Sequence, residues 1–169
     1  MSLIVDRTPN AIPNGFSKSY WFVTESTNSA ITHAGGATNT YLTNNANSAG
    51  AYNPESKSVL WDPSTNKFDF TSLKVGDTVE IVGYATFNAL AAQEYDMYMS
   101  VAEGTASAHE HHINHSYYKT AKAGAEISFT YQLILEDADE VSGGARFRFS
   151  SVQAAAITVQ KWSAKVTVV

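Results

Sequence analysis

A chain of 169 residues is long enough for one domain with a full apolar core. It holds no cysteine, which excludes disulfides, thiolate metal sites and cysteine nucleophiles. A net charge of −5, with no cluster of Lys and Arg, excludes a general nucleic-acid binder, which needs a basic face against phosphate.

Residues 1–18, punctuated by Pro9, Pro13 and Gly15, follow no period. They read as an irregular N-terminal arm ahead of a single domain over 19–169. The arm lacks the long apolar core of a secretory signal, and no apolar run in the chain is long enough to span a bilayer. Synthesis in the cytosol and no membrane partner are therefore expected.

Tyr20-Trp21-Phe22-Val23 is the first dense apolar run and predicts the first strand. Residues 24–56 are rich in Thr, Asn, Ser, Ala and Gly, with short strands expected near Ala30–His33 and Thr40–Leu42. A polar stretch of that length inside a domain points to a functional loop, a subunit contact or partial disorder. Asp62-Pro63-Ser64-Thr65-Asn66 predicts a turn, and Phe68–Phe70 a short strand.

Gly76-Asp77 introduces a long strand in which Val79, Ile81, Gly83, Ala85 and Phe87 share a face. Gly83 predicts a bend or a close approach. Asn88–Gln93 reads as a helical turn or loop tip. Glu94–Glu103 alternates, with Tyr95, Met97, Met99 and Val101 on one side. In Ala125–Leu135, Ile127, Phe129, Tyr131, Leu133 and Leu135 line one side.

Glu136–Glu140 reads as a solvated acidic connector, since it lacks the spaced oxygen donors and glycine of an EF-hand loop. Beyond Gly143-Gly144, Phe147, Phe149 and Ser151 oppose Arg146, Arg148 and Ser150. In the last strand the apolar parity slips between Ile157/Val159 and Trp162/Ala164/Val166/Val168. A one-residue slip predicts a β-bulge at Gln160-Lys161. Eight to ten strands with almost no helix predict an all-β, jelly-roll-like antiparallel sandwich.

Four of the five histidines fall in His109-Glu110-His111-His112-Ile113-Asn114-His115. On a regular strand His109, His111 and His115 share a face; on a helix His111, His112 and His115 group. Either set could offer imidazoles to a transition-metal ion. The plainer reading is an exposed polar hairpin or a pH-sensitive contact. Zincin spacing is absent, because Glu110 is followed directly by His111.

Glu94 and Asp96 share a strand face, but a glycosidase pair needs a partner at a set distance, and nothing nearby in sequence supplies one. No nucleophile elbow, phosphate loop or dinucleotide fingerprint occurs. These features predict no catalytic residue. Three tryptophans and nine tyrosines are the remaining resource. Tyr20, Tyr84, Tyr98, Tyr117 and Tyr118 have the parity or loop position of exposed rings, which could stack on a glycan or line a subunit contact. No particular residue is assigned to a glycan.

The stretch from Leu60 to Ile81 combines Phe68-Asp69-Phe70, Leu73 and Gly76-Asp77 ahead of an alternating strand. It resembles a recurring stretch of tailed-phage virion proteins, in jelly-roll domains of capsid decoration proteins, knobs and tail-fibre tips. The resemblance extends over 57–169 and includes the Phe129-Thr130-Tyr131 strand and the aliphatic last strand. It implies a non-enzymatic virion protein, usually a homotrimer, that decorates or cements the capsid through the major capsid protein or other virion proteins. The alternative it implies is a receptor-binding fibre tip or baseplate domain that engages host glycans. A short chain opening at Met1 favours the separate decoration protein, with its arm reaching a neighbouring subunit or the shell. Some phage fibre tips bind iron through a His-x-His pattern. By that resemblance His109 and His111 of three chains would offer six nitrogens to one ion on a threefold axis.

Overall fold

The computed structural model describes residues 18–25, 30–36, 39–44 and 60–169. The arm lies outside the described residues except for Lys18, which opens β1. The strands are β1 (Lys18–Glu25), β2 (Ile31–His33), β3 (Thr40–Tyr41), β4 (Trp61–Asp62), β5 (Lys67–Phe68), β6 (Thr78–Ala89), β7 (Gln93–Val101), β8 (His109–Tyr118), β9 (Lys122–Ile134), β10 (Ala145–Ser151) and β11 (Ala155–Val168). One short helix, α1 (Ala138–Gly143), precedes β10. It is too short to cross a membrane, and no helix among the described residues is long and apolar enough to do so.

All pairings are antiparallel, and they form the two sheets of a jelly-roll-like sandwich. One sheet runs β1–β11–β6–β9, with β2 also on β11. The other runs β4–β5–β10–β7–β8, with β3 also on β10. The period-2 pattern of the long strands decides what each face does. Val79, Ile81, Ala85 and Phe87 of β6 and Ile127, Phe129 and Leu133 of β9 are buried against Met97, Met99, Phe147 and Phe149 of the facing sheet. Phe129 meets Phe147 edge-on with ring centroids 4.5 Å apart, and Phe87 meets Phe149 at 5.3 Å.

The slip in β11 is a bulge at the expected place. Val159 pairs with Ala85 and Lys161 with Tyr84, so Gln160 is the extra residue. Ile157 and Val159 are buried before it, and Ala164 and Val166 after it. Without the insertion one half of this strand would point its apolar residues at solvent. At Gly83 the ladder to β9 keeps its register through the Gly83–Phe129 pair, and its irregularity comes later, between Phe87 and Ala89.

The Gly-Asp turn forms one corner of the sandwich. Gly76 has φ +98°, in the left-handed region, and its N–H donates to Leu135 O at 2.7 Å. Asp77 is 3% exposed, and its carboxylate accepts from Lys74 N at 2.9 Å and Val169 N at 3.2 Å. The start of β6, the end of β9 and the C-terminus are thereby tied together. Phe70 is fully buried beneath this corner, although β5 already ends at Phe68.

The acidic connector departs from expectation. Asp137 caps α1 by accepting from Glu140 N at 2.8 Å, which turns Glu140 inward to 5% exposure. There Glu140 Oε2 accepts from Glu136 N at 2.6 Å. The spacing of Asp137 and Glu140 is that of a capping box, a local signal that outweighs the lack of apolar period.

Candidate functional site

The outer face of the β10–β7–β8 sheet carries a polar and aromatic strip that the strand registers assemble. Alternation turns Asp96, Tyr98 and Ser100 of β7 outward, along with Arg146, Arg148 and Ser150 of β10. Arg148 pairs with Tyr41 on one side and Tyr98 on the other, and Tyr98 pairs with His112. Tyr41, Arg148, Tyr98 and His112 thus form one row across four strands.

Both guanidinium groups sit over the Tyr41 ring, Arg146 at 4.8 Å and Arg148 at 5.4 Å from its centroid. Arg146 Nε lies 3.0 Å from Glu103 Oε2, and Arg148 pairs with Glu110. The Tyr41 hydroxyl donates to Glu103, and that hydrogen bond, followed by burial, raises its pKa above the ordinary 10.0. Ser100 Oγ accepts from Arg148 Nη1 at 3.2 Å and donates to Glu110 Oε1 at 3.2 Å.

A bulge in β8 arranges the histidines. Tyr98 pairs with His112 and Met97 with Asn114, so Ile113 is the extra residue. Its side chain packs against the core. Before the bulge, His109 and His111 face inward opposite Val101 and Met99. After it, His115 faces outward opposite Asp96. The regular-strand grouping of His109, His111 and His115 therefore does not form, because the extra residue reverses the parity between them. His115 joins His112 instead.

His112 Nε2 lies 2.8 Å and His115 Nδ1 2.9 Å from Asp96 Oδ1. Partial burial raises the Asp96 pKa, and the hydrogen bonds from His115 and His112 outweigh that, leaving it below the ordinary 3.8. The same reversal turns Tyr118 inward, where it stacks on Phe87 and Tyr95 at 5.6 and 5.8 Å, while Tyr117 stays exposed.

His109 and His111 line a separate cleft of 330 Å³ between β8 and β9, with Tyr131, Glu136 and Glu140. Their ring centroids are 4.8 Å apart. His109 Nδ1–H donates to Ser107 O at 2.8 Å, and Nε2 lies 3.8 Å from Glu140 Oε1. Burial, and then the Glu140 carboxylate, push the Tyr131 phenol up to about 12.

The fifth histidine, His33, is fully buried and joins the two sheets. It stands on β2 and lies 2.8 Å from Thr40 Oγ1 and 2.9 Å from Ser151 O of the facing sheet. As a lone histidine it has no spacing pattern in the sequence that would mark it. Trp61 is buried too, donating through Nε1 to Asn44 O at 2.7 Å, and is no sugar platform.

Glu94 and Asp96 do share the outer face, beside a 220 Å³ depression also lined by Gly36, Ser150, Ser151 and Val152. No protein family's sequence profile matches the chain, and no curated protein sequence does. Among solved structures it is similar to a protein in the structure of infectious bursal disease virus Gx strain, at 8% identity and a TM-score of 0.36. That match covers 90% of this chain, which spans 31% of the viral one. It is also similar to the xylan-binding module CBM15, at 15% identity and a TM-score of 0.32, over 89% of this chain and 97% of the module.

Proposed function

We propose that this chain is a non-enzymatic structural protein of a tailed-phage virion, a homotrimeric sandwich that decorates or cements the capsid. The observation that carries the reading is where the resemblance sits. Leu60, Trp61, Phe68, Phe70, Leu73, Asp77, Val79 and Ile81 are all buried, so the shared residues are the ones that build the sandwich corner. A resemblance seated in the scaffold speaks for a shared architecture rather than a shared catalytic site. The exposed aliphatic residues Val75, Ile134 and Val169 flank that corner and give it a surface suited to subunit contact. His109 and His111 as ligands on a threefold axis belong to the same trimer.

The test is co-sedimentation with capsids of the encoding phage, alongside native mass spectrometry. A trimer that saturates capsid sites is expected, with binding lost on removal of residues 1–17 while the β content is kept. A monomer that ignores capsids overturns the reading.

A receptor-binding tip is the second reading, favoured by the Tyr41–Arg148–Tyr98–His112 row on an open sheet face. Rings and guanidinium planes side by side suit stacking and hydrogen bonding to sugars. Binding to host cells that Tyr98→Ala abolishes, with no binding to capsids, would select it.

A further inference from the structure

We propose that Asp96, His112 and His115 form a binding site for a divalent transition-metal ion of the zinc class on the outer face of β7 and β8. One Asp oxygen and two imidazole nitrogens converge there, all within 4.8 Å of one another. They are the one such group among the described residues.

The backbone is what brings them together. Residues three apart on a regular strand point to opposite faces. The extra residue at Ile113 cancels that, so His112 and His115 stand over Tyr98 and Asp96, two neighbouring outward positions of β7. A bulge disrupts the local ladder, and bulges recur where a side chain has to be re-aimed. The Tyr98 ring lies 5.1 Å from the His112 ring.

The donor set selects the ion. Two imidazoles and one carboxylate suit zinc, nickel or copper, whereas calcium and magnesium require mostly oxygen. Zinc bonds of about 2.0–2.2 Å in a tetrahedron place donor atoms about 3.3 Å apart. Around such an ion the two Asp96–imidazole separations of 2.8 and 2.9 Å open by about half an ångström, and the separation of the two imidazole nitrogens, at most 4.8 Å, closes by up to about 1.5 Å. Both rings are about half exposed (48% and 49%), so small rotations of surface side chains suffice and the ion needs no opening of the core.

On binding, the ion replaces two N–H···O hydrogen bonds. His112 ligates through Nε2 and His115 through Nδ1, so each neutral ring shifts its proton from that nitrogen to the other one, and Asp96 supplies the negative charge. Three protein ligands leave one position facing solvent, open to water or to a donor from a partner. The site is complete within one chain, so it does not depend on the trimer or on the virion reading.

The experiment is calorimetric titration of the untagged, chelator-treated chain with zinc chloride. One ion per chain is expected at these residues. His112→Ala, His115→Ala and Asp96→Asn should each weaken it at least about tenfold, since even outer-shell changes reach that size. The His109→Ala/His111→Ala double variant should leave this binding unchanged. Nitrogen-15 NMR of wild-type imidazoles reads the same claim without any substitution: zinc should shift His112 Nε2 and His115 Nδ1. No saturable binding, binding indifferent to His112 and His115, or shifts confined to His109 and His111 would each overturn the proposal.

Discussion

Replacing Asp77 with alanine is expected to cost about 3 kcal/mol of folding stability. Its carboxylate is 3% exposed and accepts two backbone hydrogen bonds, from Lys74 N at 2.9 Å and Val169 N at 3.2 Å. A hydrogen bond to a charged group contributes about 1.5–3 kcal/mol net, so two give roughly 3–6 kcal/mol. Both donors lie near the surface, where water replaces part of the lost bonding, and the lower end applies. Asparagine does not rescue the position, because its amide NH₂ would face one of the two N–H donors. Asp69, eight residues earlier, is the internal control. It is exposed and accepts only from Thr71 N at 2.8 Å, so Asp69→Ala should cost about 1 kcal/mol or less. Urea unfolding of the three variants measures the difference as a shifted midpoint at unchanged slope. For a chain of this size the Asp77 variants should melt about 6–12 °C lower. Equal costs at Asp69 and Asp77 would refute the argument that the buried carboxylate ties the corner to the C-terminus.

Gly144 has φ +63°, and a Cβ there would lie 2.1 Å from Phe68 O, whereas Gly104 has φ +85° with nothing within 4 Å. Gly104→Ala should therefore cost about 1–2 kcal/mol of backbone strain, and Gly144→Ala several kcal/mol more, read as a difference in Tm. The raised Tyr131 phenol makes an alkaline prediction. The folded state holds this proton up to about 12, against an ordinary 10.0. Its contribution is therefore complete below pH 10 and is lost as the pH climbs towards 12. Tyr131→Phe should flatten that alkaline fall, and Glu140→Gln should bring the phenol titration to lower pH in ultraviolet absorbance.

Much of the fold is legible in the sequence because a half-buried strand must alternate. Residues 125–135 and 94–101 alternate cleanly, and both form strands with the expected faces inward. The bulge at Gln160 is legible for the same reason, since buried aliphatic residues stand on both sides of the slip and mark each phase. The bulge at Ile113 leaves no such mark. Its neighbours are polar, so no apolar parity breaks, and only pairing with β7 reveals the reversal. The helix α1 is hidden in a different way, because a capping interaction between Asp137 and Glu140, rather than an apolar stripe, turns Glu140 inward.

The sequence alone therefore determines an all-β antiparallel sandwich, its long strands and their inward faces. Burial of apolar side chains on a period of two admits few other solutions. The sites depend on contacts between strands far apart in the chain. Tyr41, Arg148, Tyr98 and His112 become a row only through the registers of four strands. Asp96 reaches His112 and His115 only because one unpaired residue shifts half of β8 by one position. Register is a property of the partner strand as much as of the strand itself, and tertiary structure alone decides it.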